Sequence, residues 1–255
     1  MDKNLKKTKL QVVVLAAGHG QRMKNSELPK VLVSLNGQPM IKHLLDAIAL
    51  AKVCESVMIV VGQKANQVKA ALGKNYTYIT QPEQLGTGHA VAATKSLLID
   101  RAENVMVLYG DHPCLSADTI KKIADMHLKS NAVLTMATVS VSDFNDWRTV
   151  YNDFGRILRN QQGKIEGIIE KKDATSEQLK ITEVNPSFFC FQAKWLWQNL
   201  DKLTNTNYQQ EYYLTDLVGI AFKQGIEPVA VLVDPVEALG VNMSEQLEIL
   251  SKVGF

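Results

Sequence analysis

A loop early in the chain combines glycines with basic residues. Gly18 and Gly20 follow an apolar run, and Arg22 and Lys30 come soon after them. Glycines let backbone N–H groups approach an anion closely, and arginine and lysine add positive charge. A dinucleotide fingerprint would need a third glycine where Met23 stands, and the Gly-Lys-Ser/Thr signature of a P-loop does not occur. A tight turn would explain the glycines alone, whereas the added cations predict a phosphate loop suited to a triphosphate.

A carboxylate follows a second apolar run. Asp111 comes directly after Gly110, at the end of a predicted strand over Asn104–Tyr109. Hard cations prefer carboxylate oxygens, so this position suits Mg2+, although a turn or a helix cap would also explain an aspartate here. Two histidines lie close to such motifs. We interpret His89 as structural support and His112 as a loop residue, rather than as bases or metal ligands.

The elements that must position these residues alternate between strands and helices in the first half. Short apolar runs predict strands, and apolar residues that recur every three to four positions predict helices. The predicted strands are Leu10–Ala16, Ser56–Val61, Tyr76–Thr80, Asn104–Tyr109 and Ala132–Val141. The predicted helices are Pro39–Val53, Lys64–Leu72, Gly88–Leu98 and Ser116–Leu128, the last with Ser116 as its N-cap. This alternation favours an α/β fold with a mostly parallel sheet, helices on both faces, and ligands at the carboxyl ends of the strands.

The second half is less regular. A hairpin is predicted from Arg156–Arg159 and Lys164–Glu170, which flank a turn at Gly163. Further predicted elements are strands over Ser187–Gln192 and Pro228–Val233 and helices over Ala193–Leu203, Tyr213–Gln224 and Ser244–Val253. We expect one domain over residues 1–255, with 1–9 as a mobile tail, 10–141 as the nucleotide-binding half and 142–255 as the half that builds the acceptor side of a cleft.

Several strings of residues resemble the sugar-nucleotide pyrophosphorylases. They are Leu15–Met23 with Pro29-Lys30, Gln81–Ala90, Leu108–Asp111, Ile168–Thr175, Glu211–Asp216 and Gly240–Asn242. In order and spacing, these strings are similar to the uridyltransferase domain of the bacterial bifunctional N-acetylglucosamine-1-phosphate uridyltransferases, over nearly the whole chain. The resemblance implies a Rossmann-like, mixed and mostly parallel sheet of the GT-A-like type. It also implies Mg2+-dependent transfer of UMP from UTP to a sugar 1-phosphate, foremost N-acetylglucosamine 1-phosphate, with release of pyrophosphate.

The resemblance also implies which residues bind the nucleotide. Gln81 would recognise the base, because one amide offers both a donor and an acceptor and uracil presents both in return. Asp111 and Asn242 would bind Mg2+, with phosphate oxygens and water completing the octahedron. For Asn242, an N-cap of the last helix is the alternative. The remaining residues implied on this side are Leu15, Ala16, Ala17, Gly18, Lys30, Gly86, Thr87, Tyr109 and Gly110, with Thr87 also a candidate helix cap.

Such a reaction asks little proton chemistry of the protein. The nucleophile is the phosphate of the sugar 1-phosphate, whose second pKa of about 6 leaves it mostly dianionic at pH 7. No general base is required, so the catalytic roles of Arg22 and Lys30 would be to neutralise the α-phosphate and the departing pyrophosphate.

The acceptor side departs from the family pattern. By resemblance, Gly155 would contact the sugar through its backbone, and Glu170 and Asn185 through their side chains. The residues that differ from the family motifs are Phe154, Pro186, Ser187 and Leu239, and the stretch 145–153 is longer than the family turn. Because the nucleotide side is intact, UTP is the firmer expectation and the identity of the sugar the weaker one.

Composition excludes several other classes. The chain has 255 residues, of which 46% are hydrophobic and 21% charged, with a formal net charge of +2. These values are typical of a globular protein without the basic field that nucleic-acid binding needs. The three widely spaced cysteines predict buried thiols, and the tryptophans predict packing rather than base stacking. No apolar run approaches the roughly 20 residues that span a bilayer, so we expect a cytoplasmic protein with no membrane partner.

Other functions stay open at this point. No hexapeptide repeats occur before Phe255, so we expect neither the acetyltransferase domain of the bifunctional family nor its trimer. The same scaffold could act on another sugar 1-phosphate or use CTP, although Gln81 and the Glu211–Tyr213 string argue against CTP. A catalytically silent nucleotide-sugar-binding regulator is the alternative of another class. The complete set of predicted phosphate and metal ligands argues against it.

Overall fold

The computed structural model describes residues 7–18 and 28–241, together with 246, 249 and 250. The strands are β1 (Thr8–Ala16), β2 (Ser34–Leu35), β3 (Gln38–Pro39), β4 (Val57–Val61), β5 (Thr77–Thr80), β6 (Ala102–Tyr109), β7 (Leu134–Ser140), β8 (Gly155–Arg159), β9 (Ile165–Ile169), β10 (Glu183–Asn185), β11 (Phe189–Gln192) and β12 (Val229–Leu232). The helices are α1 (Met40–Ala51), α2 (Ala65–Leu72), α3 (Thr87–Ala92), α4 (Lys95–Leu98), α5 (Ala117–Ser130), α6 (Ala193–Asn199) and α7 (Asp216–Lys223).

The first half forms the parallel part of the sheet, in the order β5-β4-β1-β6. Residues 10–16 of β1 and the following Ala17 are all buried, as expected for a strand with helices on both faces. Alternate β1 side chains enter two cores, one shared with α1 and α5 and the other with α3, α6 and α7. Because Leu15 pairs with Tyr109 and Ala16 with Val61, three strands end at one edge of the sheet.

The second half adds mostly antiparallel strands to the same sheet. β11 lies antiparallel between β6 and β7, and β10 joins β7 to the predicted hairpin of β8 and β9. β12 returns parallel to β7. The expectation of a mixed sheet flanked by helices is therefore confirmed.

Some predicted helices are shorter than expected. The helix predicted over Gly88–Leu98 is divided into α3 and α4, and the hydroxyl of buried Thr94 bonds to the carbonyl of Val91 at 2.7 Å. Such a bond competes with the regular backbone ladder. The predicted N-cap is confirmed, since the Ser116 hydroxyl accepts from the Thr119 amide at 3.1 Å. The helix predicted over Ser244–Val253 lies mostly outside the described residues.

Expectations about cysteines and tryptophans are supported. All three thiols are free, with Cys114 and Cys190 buried and Cys54 half-buried. Trp195 and Trp197 belong to the core, and Trp147 packs edge-on against Tyr151 at 6.1 Å between ring centroids. Within the described ranges, none of the helices combines the length and apolar character that crossing a membrane requires.

Candidate functional site

A buried ion pair lies where β1 and β6 end. Lys30 begins a short 3-10 helix after Pro29, and its ammonium group donates to Oδ2 of Asp111. The two side chains are only 12% and 13% exposed. Burial favours the neutral acid, but the charge of Lys30 and the hydrogen bond from His112 outweigh it and hold the pKa of Asp111 well below its usual range. The site therefore presents a carboxylate that is ionised at neutral pH.

His112 supports this carboxylate from the other side. Its Nδ1 lies 3.1 Å from Asp111 Oδ1, and its ring packs edge-on against Phe188 at 5.0 Å between centroids. The ring is 6% exposed, and a Cβ added at Gly240 would lie 2.9 Å from its Nε2. His112 lies in the loop between β6 and α5, as interpreted, and its ring is in addition buried between Asp111 and the 239–241 segment.

The described residues fit a magnesium ion that would be coordinated partly by the protein and partly by substrate phosphates. Asp111 is ionised, and its carbonyl accepts from the amide of Val241 at 2.9 Å. Val241 immediately precedes Asn242 in sequence, whereas Asn242 and Arg22 both lie outside the described residues. Among the described residues, no group of three or more acidic, histidine or cysteine side chains is arranged to hold a metal. Mg2+ commonly takes one or two protein ligands and completes its shell with phosphate oxygens and water.

An open cleft lies beside the end of β1, where the predicted glycine loop begins. Ala16, Ala17 and Gly18 line this cleft together with residues from the end of β4 and with Gln84. The Gln84 amide donates to the carbonyl of Ala17, and a Cβ added at Gly62 would lie 2.6 Å from that carbonyl. Only a glycine at position 62 lets the ends of β1 and β4 approach this closely.

Gly110 extends the same edge. Its amide donates to the carbonyl of Leu15 at 2.9 Å, which links the end of β6 to the end of β1. Leu15 and Gly110 are therefore adjacent. Gly110 in turn immediately precedes Asp111, the acidic residue of the buried ion pair. The structure thus brings these predicted backbone contacts together at one strand edge.

Gln81 is buried at the end of β5, and its amide is committed within the protein. Nε2 donates to the carbonyl of Gly86 at 3.1 Å and lies 3.0 Å from His89 Nδ1. The expectation that Gln81 offers both a donor and an acceptor to the base needs correction, because both amide hydrogens already have acceptors. The interpretation of His89 as structural support agrees with this contact.

The loop at Gly86 and Thr87 is joined to the segment before α7. The Tyr212 amide donates to Leu85 and the Gly88 amide to Tyr212, both at 2.8 Å. The Leu214 amide donates to the Thr87 hydroxyl at 2.9 Å. Thr87 is the first residue of α3 rather than its cap, so its predicted role as a helix cap is wrong.

Tyr109 lies between residues predicted for the nucleotide side and residues predicted for the acceptor side. Burial raises the pKa of its phenol well above the ordinary value, and the charges of Glu170 and Asp111 raise it further. Hydrogen bonds with Thr87 and Ser187 partly offset these effects. The phenol is therefore neutral at physiological pH and lies among predicted residues of both halves.

Among the residues predicted for the acceptor side, Glu170 lies against Gly155. A Cβ added at Gly155 would lie 3.3 Å from Glu170 Oε1, the oxygen to which the Thr215 hydroxyl donates at 3.0 Å. Burial raises the pKa of the Glu170 carboxyl, and Asp216 and Asp173 add to the shift. Thr215 was not among the predicted site residues, although it belongs to the Glu211–Asp216 string.

Asn185 is 3% exposed and its side chain is held by its own turn. Its Oδ1 accepts from the Ser187 amide at 2.9 Å, and its Nδ2 donates to the Ser187 hydroxyl at 3.2 Å. Ser187 adopts a left-handed conformation with φ of 66°. Such a conformation favours glycine, so the serine at this position is strained.

Asp216 is a further ionisable group that sequence reasoning did not select. Burial, with the charge of Asp173, raises its pKa to about 6. Its raised pKa and its place beside Glu170 and Thr215 make Asp216 a candidate residue of the site. Its membership of the Glu211–Asp216 string was the available signal.

Comparisons with known proteins agree with this geometry. The family model of the MobA-like NTP transferase domain matches residues 12–216. The bifunctional protein GlmU of Brevibacillus brevis is 41% identical over 94% of this chain and 50% of its own length. The bifunctional protein GlmU of Halalkalibacterium halodurans is 42% identical over 90% of this chain and 49% of its own. The chain thus spans about half the length of these curated relatives.

Solved structures share the fold at low sequence identity. A UDP-glucose pyrophosphorylase complexed with UDP-glucose is 18% identical with a TM-score of 0.76, and the match covers 96% of this chain and 98% of that one. A putative glucose-1-phosphate thymidylyltransferase from Bacillus anthracis is 19% identical with a TM-score of 0.75, over 96% and 94% of the two chains. Sheet, site and family model therefore agree, and the chain belongs to the MobA-like NTP transferase domain family.

Proposed function

We propose that this chain transfers UMP from UTP to a sugar 1-phosphate, with Mg2+, and releases pyrophosphate. The observation that carries the proposal is the buried Lys30–Asp111 pair at the ends of β1 and β6. It combines a cation for phosphate with an ionised carboxylate for a divalent metal. UTP as the donor follows from the resemblance of the motif strings to the bifunctional uridyltransferases, and the curated relatives of this region are named bifunctional protein GlmU.

The nucleotide would bind across the cleft at the end of β1. Backbone groups of residues 15–18 would line it, and Gln81 and Gly86 would face its base. Asp111, together with Asn242, would hold Mg2+, which supplies charge neutralisation for the triphosphate when it is bound. Lys30 would exchange its contact with Asp111 for a phosphate oxygen. This exchange would place a positive charge where the departing pyrophosphate develops its negative charge.

The acceptor phosphate attacks the α-phosphorus of UTP, and the bond from that phosphorus to the β-phosphate oxygen breaks. No proton has to be removed, because the attacking phosphate is already mostly dianionic at pH 7. Tyr109 would help to align the two substrates, since its phenol lies beside Thr87 on one side and Ser187 on the other.

We propose N-acetylglucosamine 1-phosphate as the acceptor, bound by Gly155, Glu170 and Asn185. A second candidate is the same reaction on another sugar 1-phosphate. The observation that favours it is the turn at Ser187, whose hydroxyl and amide occupy both polar ends of Asn185. An Asn185 side chain held this way has less capacity to bind a sugar substituent than a free one.

The test is pyrophosphate release from UTP and Mg2+ with a panel of sugar 1-phosphates. Preference for N-acetylglucosamine 1-phosphate would support the first candidate, and turnover with another sugar alone would support the second. Asp111→Ala should abolish turnover while circular dichroism stays unchanged. Tight UTP binding by calorimetry without turnover on any sugar would contradict the enzymatic proposal and support a silent regulator.

A further inference from the structure

The contact between Gln81 and His89 determines which end of the Gln81 carboxamide remains available to a ligand. Both hydrogens of Nε2 have acceptors, the Gly86 carbonyl at 3.1 Å and His89 Nδ1 at 3.0 Å. Oε1 receives no hydrogen bond from any other residue in the described ranges. A carboxamide normally offers two donors and one acceptor group, so here only the acceptor is left for a ligand.

The reverse orientation of the amide is disfavoured. Rotation by 180° would place Oε1 near the Gly86 carbonyl, oxygen against oxygen, at the 3.1 Å now occupied by a hydrogen bond. It would also need a proton on His89 Nδ1. Gln81 is 3% exposed, so water cannot readily satisfy a misplaced amide. The backbone of Gln81 is fixed as well, because its amide donates to Val61 at 2.8 Å.

We propose that His89 is a positioning residue that makes the site selective for a base with a ring N–H donor. This inference rests on the proposed function, which places the base at Gln81. Uracil carries a hydrogen on N3 and can donate it to Oε1. Cytosine carries a lone pair at N3, so acceptor would face acceptor. Without the Nδ1 acceptor of His89, one amide hydrogen loses its partner and the orientation is held by Gly86 alone.

The decisive variants are His89→Leu and His89→Asn, which have nearly the same shape. Only asparagine keeps an acceptor atom where His89 Nδ1 lies. A matched control is His43→Leu. His43 in α1 also has its Nδ1 3.0 Å from the side chain of a glutamine, Gln38 in β3. Dissociation constants for UTP and CTP with Mg2+ would be measured by calorimetry on the full chain. Circular dichroism would verify the fold.

Wild type and His43→Leu should bind UTP more tightly than CTP. His89→Leu should lower this preference about tenfold, mainly by weakening UTP binding, and His89→Asn should restore most of it. An unchanged UTP/CTP ratio in His89→Leu, or an equal loss for both nucleotides, would overturn the role of His89. A wild-type protein with no preference for UTP would overturn the proposed function itself.

Discussion

At the residue scale, the site depends on a charge pair that is removed from water. Lys30 and Asp111 are both mostly buried, and the charge of Lys30 holds the pKa of Asp111 low despite the opposing effect of burial. A carboxyl with a depressed pKa stabilises the fold above its unfolded pKa, and this contribution is lost as pH falls through the folded pKa. The pair is therefore fully formed at neutral pH.

Replacing Lys30 with alanine should reduce both stability and turnover. Removing one partner of a buried pair leaves an uncompensated charge, which costs about 3–5 kcal/mol at pH 7. Loss of a preorganised cation should lower kcat by about 10²–10³-fold. Urea denaturation and pyrophosphate release measure the two effects. Lys42→Ala is the control, because Lys42 pairs with Asp46 on the exposed face of α1 and should cost less than about 1 kcal/mol.

Ser187→Gly should change acceptor binding and leave UTP binding unchanged. Glycine removes the left-handed strain of about 1 kcal/mol, but it also removes the hydroxyl that occupies Asn185 Nδ2. The released amide should lower KM for N-acetylglucosamine 1-phosphate by roughly threefold to tenfold.

The control for this variant is Lys52→Gly, which relieves a similar left-handed conformation, φ of 53°, at the end of α1. It should stabilise the protein without a change in either KM. An acceptor KM that does not respond to Ser187→Gly would place the sugar elsewhere.

At the element scale, the loop before α3 is fitted to the segment before α7. Gly86 has φ of 106°, and a Cβ there would lie 2.7 Å and 2.8 Å from the backbone oxygen and nitrogen of Tyr212. Backbone atoms cannot give way as a flexible side chain can. The loop that we propose to bind the base therefore depends on a glycine for two separate reasons.

Gly86→Ala should destabilise the protein by about 2–4 kcal/mol and weaken UTP binding. Two other glycines serve as controls that distinguish backbone strain from contact with Tyr212. Gly163 has φ of 78° with open space, and Gly167 has open space and no positive φ. The loss in urea midpoint should rank Gly86→Ala above Gly163→Ala, and Gly163→Ala above Gly167→Ala. Equal losses at 86 and 163 would show that contact with Tyr212 contributes nothing.

At the scale of the whole molecule, the site is assembled from both halves of one sheet. β11 lies between β6 and β7, so residues from the antiparallel half reach the edge where the parallel strands end. Tyr109 contacts groups from both halves. The proximity of Glu170, Asp173 and Asp216 on the acceptor side has a consequence for overall stability, because like charges oppose ionisation.

Asp216→Asn should stabilise the protein at neutral pH. The pKa of Asp216 is about 6 in the folded protein against 3.8 for an unperturbed aspartate. The folded state therefore holds the proton more tightly, and stability falls as pH rises from about 4 to 6. The Tm of Asp216→Asn should exceed that of wild type at pH 7.5, with a difference that disappears towards pH 4.

Asp125→Asn is the control with the opposite sign. Lys121 lowers the pKa of this exposed aspartate, so its substitution should not raise Tm at pH 7.5. A Tm difference for Asp216→Asn that does not vary with pH would contradict the assignment of the raised pKa to Asp216.

The sequence by itself determined the parallel strands and the motif strings that carry the candidate ligands. Buried strands read as continuous apolar runs, and strings such as Gln81–Ala90 are local, so neither requires knowledge of distant contacts. Element ends were less predictable. The division between α3 and α4 depends on the Thr94 hydroxyl, and the late start of α7 at Asp216 accompanies the contacts that residues 212–214 make with the loop before α3.

Only the tertiary structure decided which hydrogen bonds each polar group can still make with a ligand. Gln81 was predicted to donate to and accept from the base, but its Nε2 hydrogens already bond to Gly86 and His89. His112 was correctly interpreted as a loop residue, but its burial against Asp111 became apparent only from the fold. The physical reason is the same in both cases. Hydrogen-bond partners and burial arise between residues brought together by folding, and residue types alone do not specify how many of their bonds are already made.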